Sequence, residues 1–205
     1  MDSKEQKKEK ITAAAAVVLA QKGYNLTLIA DIAAEAGVGK GTIYEYFDSK
    51  EELFFAVYQW FMANIMEAAT VAVGDLAAPL PQRLMAMVGS LVEVFEDNRQ
   101  MFSLFMEFWA ASSAGPLQTR LRQALNDTYR QSRRMFAEII TQGAASGYFR
   151  DDLDPLATAA GLVAGLDGIF LQCWMDPELD AAKLAGGFMQ NLLRGIARRE
   201  PDDAK

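Results

Sequence analysis

The first apolar stripe along the chain has the period of an α-helix. Its members fall at positions i, i+3, i+4, i+7 and i+8, and they are Ile11, Ala14, Ala15, Val18 and Leu19. This spacing places them on one face of a helix over about residues 4–22. Gly23 follows, and we expect the helix to end there.

Two shorter helices are predicted next. The apolar positions of the second are Ile29, Ile32, Ala33 and Ala36. Thr27 offers an N-cap oxygen to this helix, and Gly37 can take the left-handed conformation in which many helices end. The third helix covers about residues 40–47, where Ile43 and Phe47 share a face at i and i+4. A tight Gly-Val-Gly turn at 37–39 separates the two helices.

The rest of the chain is also predicted to be helical. Asp48 or Ser49 caps a long helix over about residues 51–73, and the acidic Glu51 and Glu52 suit the positive end of its dipole. A loop at 74–81 follows. Further helices are predicted at about 82–96, 98–112, 116–146, 155–175 and 180–198. The pattern predicts an all-α protein of about nine helices, in which the long helix joins an N-terminal three-helix unit to a C-terminal helical bundle.

Two regions of the C-terminal bundle have unusual patterns. The stretch 101–109 is apolar nearly all round, which is typical of a helix buried on several sides. The helix at 155–175 carries small residues that allow close approach of another helix, either in the same subunit or in a second one. We expect a dimer interface there and on the last helix, at Ala160, Gly161, Ala164, Gly165, Gly168, Leu184, Phe188 and Leu192.

The charge of the chain is unevenly distributed. Residues 1–50 contain seven Lys and seven Asp or Glu, so the net charge of −7 lies entirely in the remainder. An acidic body is repelled by polyanions, which confines any contact with DNA or a membrane surface to the N-terminal segment. We therefore divide the chain into a unit at 1–50 and a larger unit at 51–205.

The residue types present exclude several classes of function. The chain has no histidine and one cysteine, Cys173, so no Ser-His-Asp triad, Cys-His pair, internal disulfide or His-ligated zinc site can form. We expect no enzyme activity, no cofactor and no metal. Asp154 is expected to cap a helix with Pro155 at its first position, and not to join Asp151 and Asp152 in a metal site.

The N-terminus gives no indication of export. Residues 1–10 are mostly charged and lack the apolar segment of a signal peptide. No uninterrupted apolar run reaches the 18 or so residues of a membrane span. A cytoplasmic protein without a membrane partner is expected.

Three short helices with a tight turn before the third form the pattern of a helix-turn-helix. Residues across this region resemble the TetR family of bacterial transcriptional regulators. The matching positions are Gly23, Tyr24, Thr27, Asp31, Ile32, Ala33, Ala36, Gly37, Val38, Lys40, Gly41, Thr42, Ile43, Tyr44, Tyr46, Phe47, Ser49, Lys50, Glu51, Glu52 and Leu53. Three positions depart from the family pattern, since Leu28, Ala30 and Gly39 stand where polar residues are common.

The resemblance implies a homodimeric repressor whose third helix enters the major groove of a double-stranded DNA operator. By similarity, Thr27, Tyr44 and Lys50 would hold phosphates, while Lys40, Thr42, Glu45 and Tyr46 would lie near base edges. Glu45 either accepts a hydrogen bond from a cytosine amino group or is tolerated at the edge of the groove. For Ile43 and Phe47 we expect only packing within the three-helix unit.

The resemblance also implies a small effector that binds the helical body and releases the DNA. Methionine and aromatic side chains suit a large apolar or aromatic ligand, although any one of them is more often an ordinary core residue. Arg133 and Tyr129, one turn apart, are the expected polar contacts. The candidates are Met62, Met66, Phe102, Phe105, Met106, Trp109, Tyr129, Arg133, Phe136, Phe170 and Trp174. The alternative is a DNA-binding protein that acts architecturally or through a protein partner, without an effector.

Overall fold

The computed structural model describes residues 3–71 and 78–198, with the backbone alone for 68–71. Within these ranges nine α-helices and one short 3₁₀ turn are present, and no strand is formed. The helices are α1 Lys4–Leu26, α2 Ile29–Ala36, α3 Lys40–Tyr44, α4 Lys50–Val71, α5 Leu80–Asp97, α6 Phe102–Ser113, α7 Gln118–Ala145, α8 Pro155–Met175 and α9 Ala181–Ile196. The all-α expectation is confirmed. The expected end of α4 at residue 73 and residues 74–77 of the expected 74–81 loop lie outside the described residues, and α5 begins at Leu80, within that expected loop.

The chain forms two compact packing units. The first contains Met1–Asn64 and Asn98–Asn126, and the second contains Ile65–Asp97 and Asp127–Lys205. The first unit therefore includes α6 as well as the three N-terminal helices. These packing units cut across the division at residue 50, which was drawn from charge and motif.

Helix α1 continues beyond its expected end. Gly23 leaves the helical region (φ 73°, ψ 163°), and the helix resumes for one turn to Leu26. The chain therefore bends at Gly23 instead of stopping there. Its apolar stripe is buried as the period predicts, with Ile11 and Ala15 fully enclosed.

The turn between α2 and α3 follows from local sequence. Gly37 takes the left-handed conformation (φ 64°), which costs glycine little and ends α2. Helix α3 ends at Tyr44, three residues before its predicted end at residue 47. One helical hydrogen bond extends beyond it, since the Phe47 N–H donates to the Ile43 carbonyl at 3.0 Å. Ile43 and Phe47 are both buried, which agrees with a packing role.

Helix α4 begins after Ser49, so the choice between Asp48 and Ser49 as its cap is resolved. The Glu52 N–H donates to the Ser49 hydroxyl at 3.1 Å. The Glu52 carboxylate accepts in turn from the Asp48 N–H at 2.8 Å. Both bonds satisfy N–H groups that have no partner within the helix.

Helix α6 is less buried than its composition predicts. Leu104 and Phe108 are fully enclosed, but Trp109 is 44% exposed and Phe102, Phe105 and Met106 are half-buried. The expectation of a helix buried on several sides is therefore wrong. One face of α6 packs into the core of the first unit, and its other apolar side chains are partly exposed to solvent.

In the second unit, helices α8 and α9 pack against each other and α9 also packs on α5. A Cβ atom added at Gly165 would lie 2.5 Å from Cζ of Phe188. The small residue at 165 therefore lets α9 approach within the same chain. Gly165 and Phe188, both expected at a dimer interface, contact each other within the chain.

Helix α8 is long and apolar enough to meet the simplest test for a membrane span. Its most apolar window has a mean hydropathy of 1.5, and little of that window is buried within the chain. By length and composition alone this is weak evidence for a span.

Asp154 caps α8 by accepting from the N–H groups of Leu156 and Ala157, at 2.9 and 3.0 Å, with Pro155 at the first position of the helix as expected.

Candidate nucleic-acid interface

Helix α3 presents a polar surface on a buried support. Ile43 anchors the helix in the three-helix unit, while Lys40 and Glu45 are exposed and Tyr44 is 53% exposed. Thr42 and Tyr46 are half-buried. An exposed cation, a phenol and a hydroxyl on a helix of this size can contact phosphates and base edges in a major groove.

The side chain of Thr27 does not lie at the surface. Its side chain is fully buried, and its hydroxyl donates to the Gly23 carbonyl at 2.8 Å. Leu28 occupies the N-cap position of α2 and provides no side-chain bond to it. The expectations that Thr27 caps α2 and contacts a phosphate are therefore corrected, because the hydroxyl is used to close the preceding turn.

Lys50 is held against Tyr24. Its ammonium donates to the Tyr24 carbonyl and lies 4.3 Å from the centre of the Tyr24 ring. The Tyr24 hydroxyl hydrogen-bonds to Glu51. Burial, followed by the negative charge and hydrogen bond of Glu51, raises the pKa of Tyr24 to about 12. Lys50 thus ties the start of α4 to the end of α1, and a phosphate contact would compete with that bond.

The start of α2 carries an acid that sequence reasoning did not single out. Asp31 accepts from the Leu28 N–H at 3.0 Å and pairs with Lys22 at 3.0 Å. The Leu28 bond, then the Lys22 bond, lower the pKa of Asp31, and the charge of Lys40 adds to the effect. The local signal was available, because Asp31 is the third residue of α2 and suits the unpaired N–H groups there.

The effector candidates divide between the two units. Met62, Phe102, Phe105, Met106 and Trp109 belong to the first, and Met66, Tyr129, Arg133, Phe136, Phe170 and Trp174 to the second. In the first unit, the ring of Phe105 lies 5.7 Å from Phe102 and 5.9 Å from Trp109, between centroids. In the second, Phe170 stacks on Phe95 at 4.8 Å.

A surface pocket in the second unit differs from the expected apolar cavity. Its volume is about 560 Å³, within the range of small-molecule sites. Five of its seven lining residues are polar or charged, and the lining consists of Met66, Asp127, Arg130, Gln131, Arg134, Met135 and Glu138. Met66 is the one effector candidate among them. Phe136 is a core residue, since its side chain is 2% exposed.

Tyr129 is paired with an acid on α8. Its hydroxyl donates to Oδ2 of Asp167 at 2.8 Å. Burial raises the pKa of Asp167, and the Tyr129 hydrogen bond partly opposes this effect. A ligand carboxylate or phenolate that approached Tyr129 would face this acid. Sequence reasoning missed Asp167, although it is the one charged residue between 155 and 175.

We expect Asp167→Asn to raise the melting temperature at pH 7, because asparagine still accepts from Tyr129 and carries no charge. A raised pKa means that the stabilising contribution of protonated Asp167 is present below the ordinary pKa of about 3.9 and is lost as the pH rises through the folded-state value. The difference should therefore shrink as the pH falls toward about 4. Thermal unfolding from pH 4 to 8 measures it. Asp127→Asn, at an exposed position paired with Arg130, is the control. A lower melting temperature for Asp167→Asn at pH 7 would contradict this account.

The geometry of α1, α2 and α3 defines a helix-turn-helix DNA-binding protein. The model of bacterial regulatory proteins of the tetR family matches residues 11–57, and the model of the C-terminal part of BetI-type transcriptional repressors matches residues 81–197. The chain belongs to the TetR family and is a DNA-binding transcriptional regulator.

Known relatives agree with this assignment. The chain is 30% identical over 141 residues to the HTH-type transcriptional repressor KstR2 of Mycobacterium tuberculosis, covering 68% of each chain. It is 27% identical to the fatty acid metabolism regulator protein of Bacillus subtilis, covering 96% of this chain and 98% of that one. The solved fatty acid degradation regulator FadR of Bacillus halodurans has a TM-score of 0.77 and 25% identity, covering 97% of this chain and 100% of that one.

Proposed function

We propose that the protein is a homodimeric repressor that binds a near-palindromic operator and is released by a small apolar or aromatic effector. The observation that carries the proposal is the exposed polar surface of α3, which is supported by buried apolar residues of the helix-turn-helix. The remaining part of the chain is acidic. If the N-terminal segment binds the DNA, the phosphates stay away from the acidic residues of the rest of the chain, which would repel them.

We place the phosphate contacts at Lys40 and Tyr44 and the base contacts at Thr42, Glu45 and Tyr46. Lys40 and Tyr44 are exposed side chains of the kinds that fix a protein on the sugar-phosphate backbone. In this proposal Lys50 supports DNA binding indirectly, because its ammonium holds Tyr24 in place by donating to the Tyr24 carbonyl.

The proposed dimer uses the open faces of α8 and α9. A Cβ atom added at Gly161 or Gly168 would meet nothing within 4 Å in the chain, and Ala164 is exposed. Met175 at the end of α8 is 72% exposed, and Leu184 on α9 is also exposed. Ala160 and Leu192 are half-buried beside these positions. Two such faces can cover each other in a twofold arrangement with self-complementary contacts.

The effector proposal rests on the accessible aromatic rings of each unit. Phe102, Phe105 and Trp109 form a partly exposed row on α6. Two relatives are named as regulators of fatty acid metabolism and degradation, and the apolar chemistry of fatty acids is in line with an apolar effector for this chain. The alternative without an effector gains support from the four charged side chains in the described pocket, where Met66 is the one effector candidate.

Selection of binding sites from a randomised duplex pool at physiological salt tests the function. We expect an inverted repeat whose half-sites are about 34–36 Å apart, or a multiple of one helical turn. Enrichment of single half-sites would contradict the dimer, and absence of any enriched sequence would contradict specific binding. A compound screen on the selected duplex then tests release, and no release by any apolar or aromatic compound would favour the alternative.

Lys40→Ala should weaken binding to the selected operator and to unrelated duplexes alike. One lost phosphate contact reduces the slope of log affinity against log salt by about 1. Fluorescence anisotropy titrations at four salt concentrations measure both effects. Lys183→Ala, an exposed position on α9, is the matched control and should leave affinity and slope unchanged. An unaltered salt slope for Lys40→Ala would refute its phosphate contact.

A further inference from the structure

The kink in α1 is completed by side chains of α6. In a continuous helix the Tyr24 N–H would donate to the Ala20 carbonyl. Here the Tyr24 N–H donates to Oε2 of Glu107 at 3.3 Å, and the Ala20 carbonyl accepts from the Ser103 hydroxyl at 3.1 Å. Ser103 and Glu107 are four residues apart, so they project from one face of α6. They replace both halves of the interrupted helical bond.

The Gly23 and Tyr24 carbonyls at the kink are also paired. The Gly23 carbonyl accepts from the Thr27 N–H at 3.2 Å and from the Thr27 hydroxyl at 2.8 Å. The Tyr24 carbonyl accepts from Lys50. Helix kinks commonly occur at glycine or where a side chain enters the helical hydrogen-bond ladder, and both causes operate here.

Glycine at position 23 makes the kink dependent on α6. Gly23 can adopt the observed left-handed φ of 73° or the ordinary helical region at similar cost. Without acceptor and donor groups from α6, the Tyr24 N–H and the Ala20 carbonyl can pair with each other and straighten the helix. The kink therefore depends on Ser103 and Glu107 as well as on the sequence of α1.

We propose that Ser103 and Glu107 are positioning residues that hold the α1 kink from α6 and thereby set operator affinity without touching DNA. The kink lies four residues before Thr27, where the chain turns into α2, so its angle directs α2 and α3. This inference rests on the proposed operator binding and adds to it a role for α6. Phe102, Phe105 and Trp109 of the proposed effector surface lie on the same helix, so displacement of α6 by an effector would act on the kink directly.

The test compares the Ser103→Ala/Glu107→Ala double variant with Glu107→Gln, which retains an acceptor for the Tyr24 N–H. We expect the double variant to bind the selected operator about tenfold more weakly, from the loss of two hydrogen bonds, and Glu107→Gln to bind within about twofold of the wild type. Affinity for unrelated DNA should change by less than about twofold in both. Ser112→Ala is the control, because that hydroxyl bonds only within α6, to the Trp109 carbonyl.

A third variant separates positioning from stability. In the double variant, Gly23→Ala favours a continuous α1, because alanine prefers the helical region and no longer meets the Glu107 carboxylate, which lies 2.8 Å from the added Cβ. The melting temperature should rise relative to the double variant while operator affinity falls further. If operator affinity instead follows melting temperature across all variants, the two residues are merely structural and the proposal is overturned.

Hydrogen exchange of the Tyr24 amide monitors the kink without DNA. We expect the exchange rate to differ between the wild type and the double variant, and an identical rate would overturn the proposal. Failure of the proposed function gives a different result, since the wild type itself would then select no operator while the exchange rates would still differ.

Discussion

Replacing Phe108 with alanine should lower the free energy of unfolding by about 3–5 kcal/mol, the usual cost of truncating an enclosed phenylalanine. The Phe108 ring is fully buried at the centre of an aromatic cluster. Its centroid lies 4.9 Å from that of Phe54, 5.2 Å from Tyr58 and 6.4 Å from Phe61. Alanine would remove all three ring contacts and leave a cavity where α4 and α6 meet in the first unit.

Urea titration measures this loss, as a lower midpoint at an unchanged slope. Trp109→Ala is the control, because it removes a larger ring from the adjacent position of α6, which is 44% exposed. We expect a smaller loss for Trp109→Ala than for Phe108→Ala. The reverse order would show that the face of α6 carrying Trp109 supports the core.

Gly143→Ala should destabilise the second unit by about 1–3 kcal/mol, the range for overpacking a filled site. An added Cβ would lie 2.1 Å from Cδ2 and 2.3 Å from Cε2 of Phe149, whose ring is buried. The ring has little freedom to move, because the Phe149 N–H donates to the Gly143 carbonyl at 3.0 Å. The better helix propensity of alanine, about 1 kcal/mol, offsets only part of this clash.

The matched control is Gly89→Ala, at an exposed position of α5 where an added Cβ meets nothing within 4 Å. That variant should gain up to about 1 kcal/mol in unfolding free energy. Adding Phe149→Leu to Gly143→Ala should recover part of the loss, because the smaller side chain leaves room for the Cβ. A stabilising effect of Gly143→Ala in urea titrations would contradict the close contact.

The helices were predictable because their signals are local. The apolar period of α1, the glycine that ends α2 and the Asp154 cap of α8 each act through residues within a few positions along the chain. Local rules also gave an exposed α3 with Ile43 buried beneath it. At Gly23 the local pattern predicts a helix end, because the groups that pair with the backbone on both sides of the bend belong to α6, some 80 residues later.

The positions of individual functional side chains were less predictable. Thr27 and Lys50 match the family pattern, yet the Thr27 hydroxyl closes a turn and the Lys50 ammonium is held by Tyr24. Sequence pattern identifies which residue type stands at a position, whereas its hydrogen-bond partner depends on which groups the fold brings near. Asp167 was missed for the same reason, since its significance comes from burial beside Tyr129.

By itself the sequence determined an all-α protein with an N-terminal helix-turn-helix, an acidic body and no histidine chemistry. These properties depend on composition and on interactions over three to four residues, which form within a single helix and need no contact with the rest of the fold. The tertiary structure alone decided that Gly165 accommodates Phe188 within the chain, that α6 completes the α1 kink and that Asp167 is paired with Tyr129. Each of these contacts joins residues more than 20 positions apart. They contribute to stability only after packing has brought the helices together.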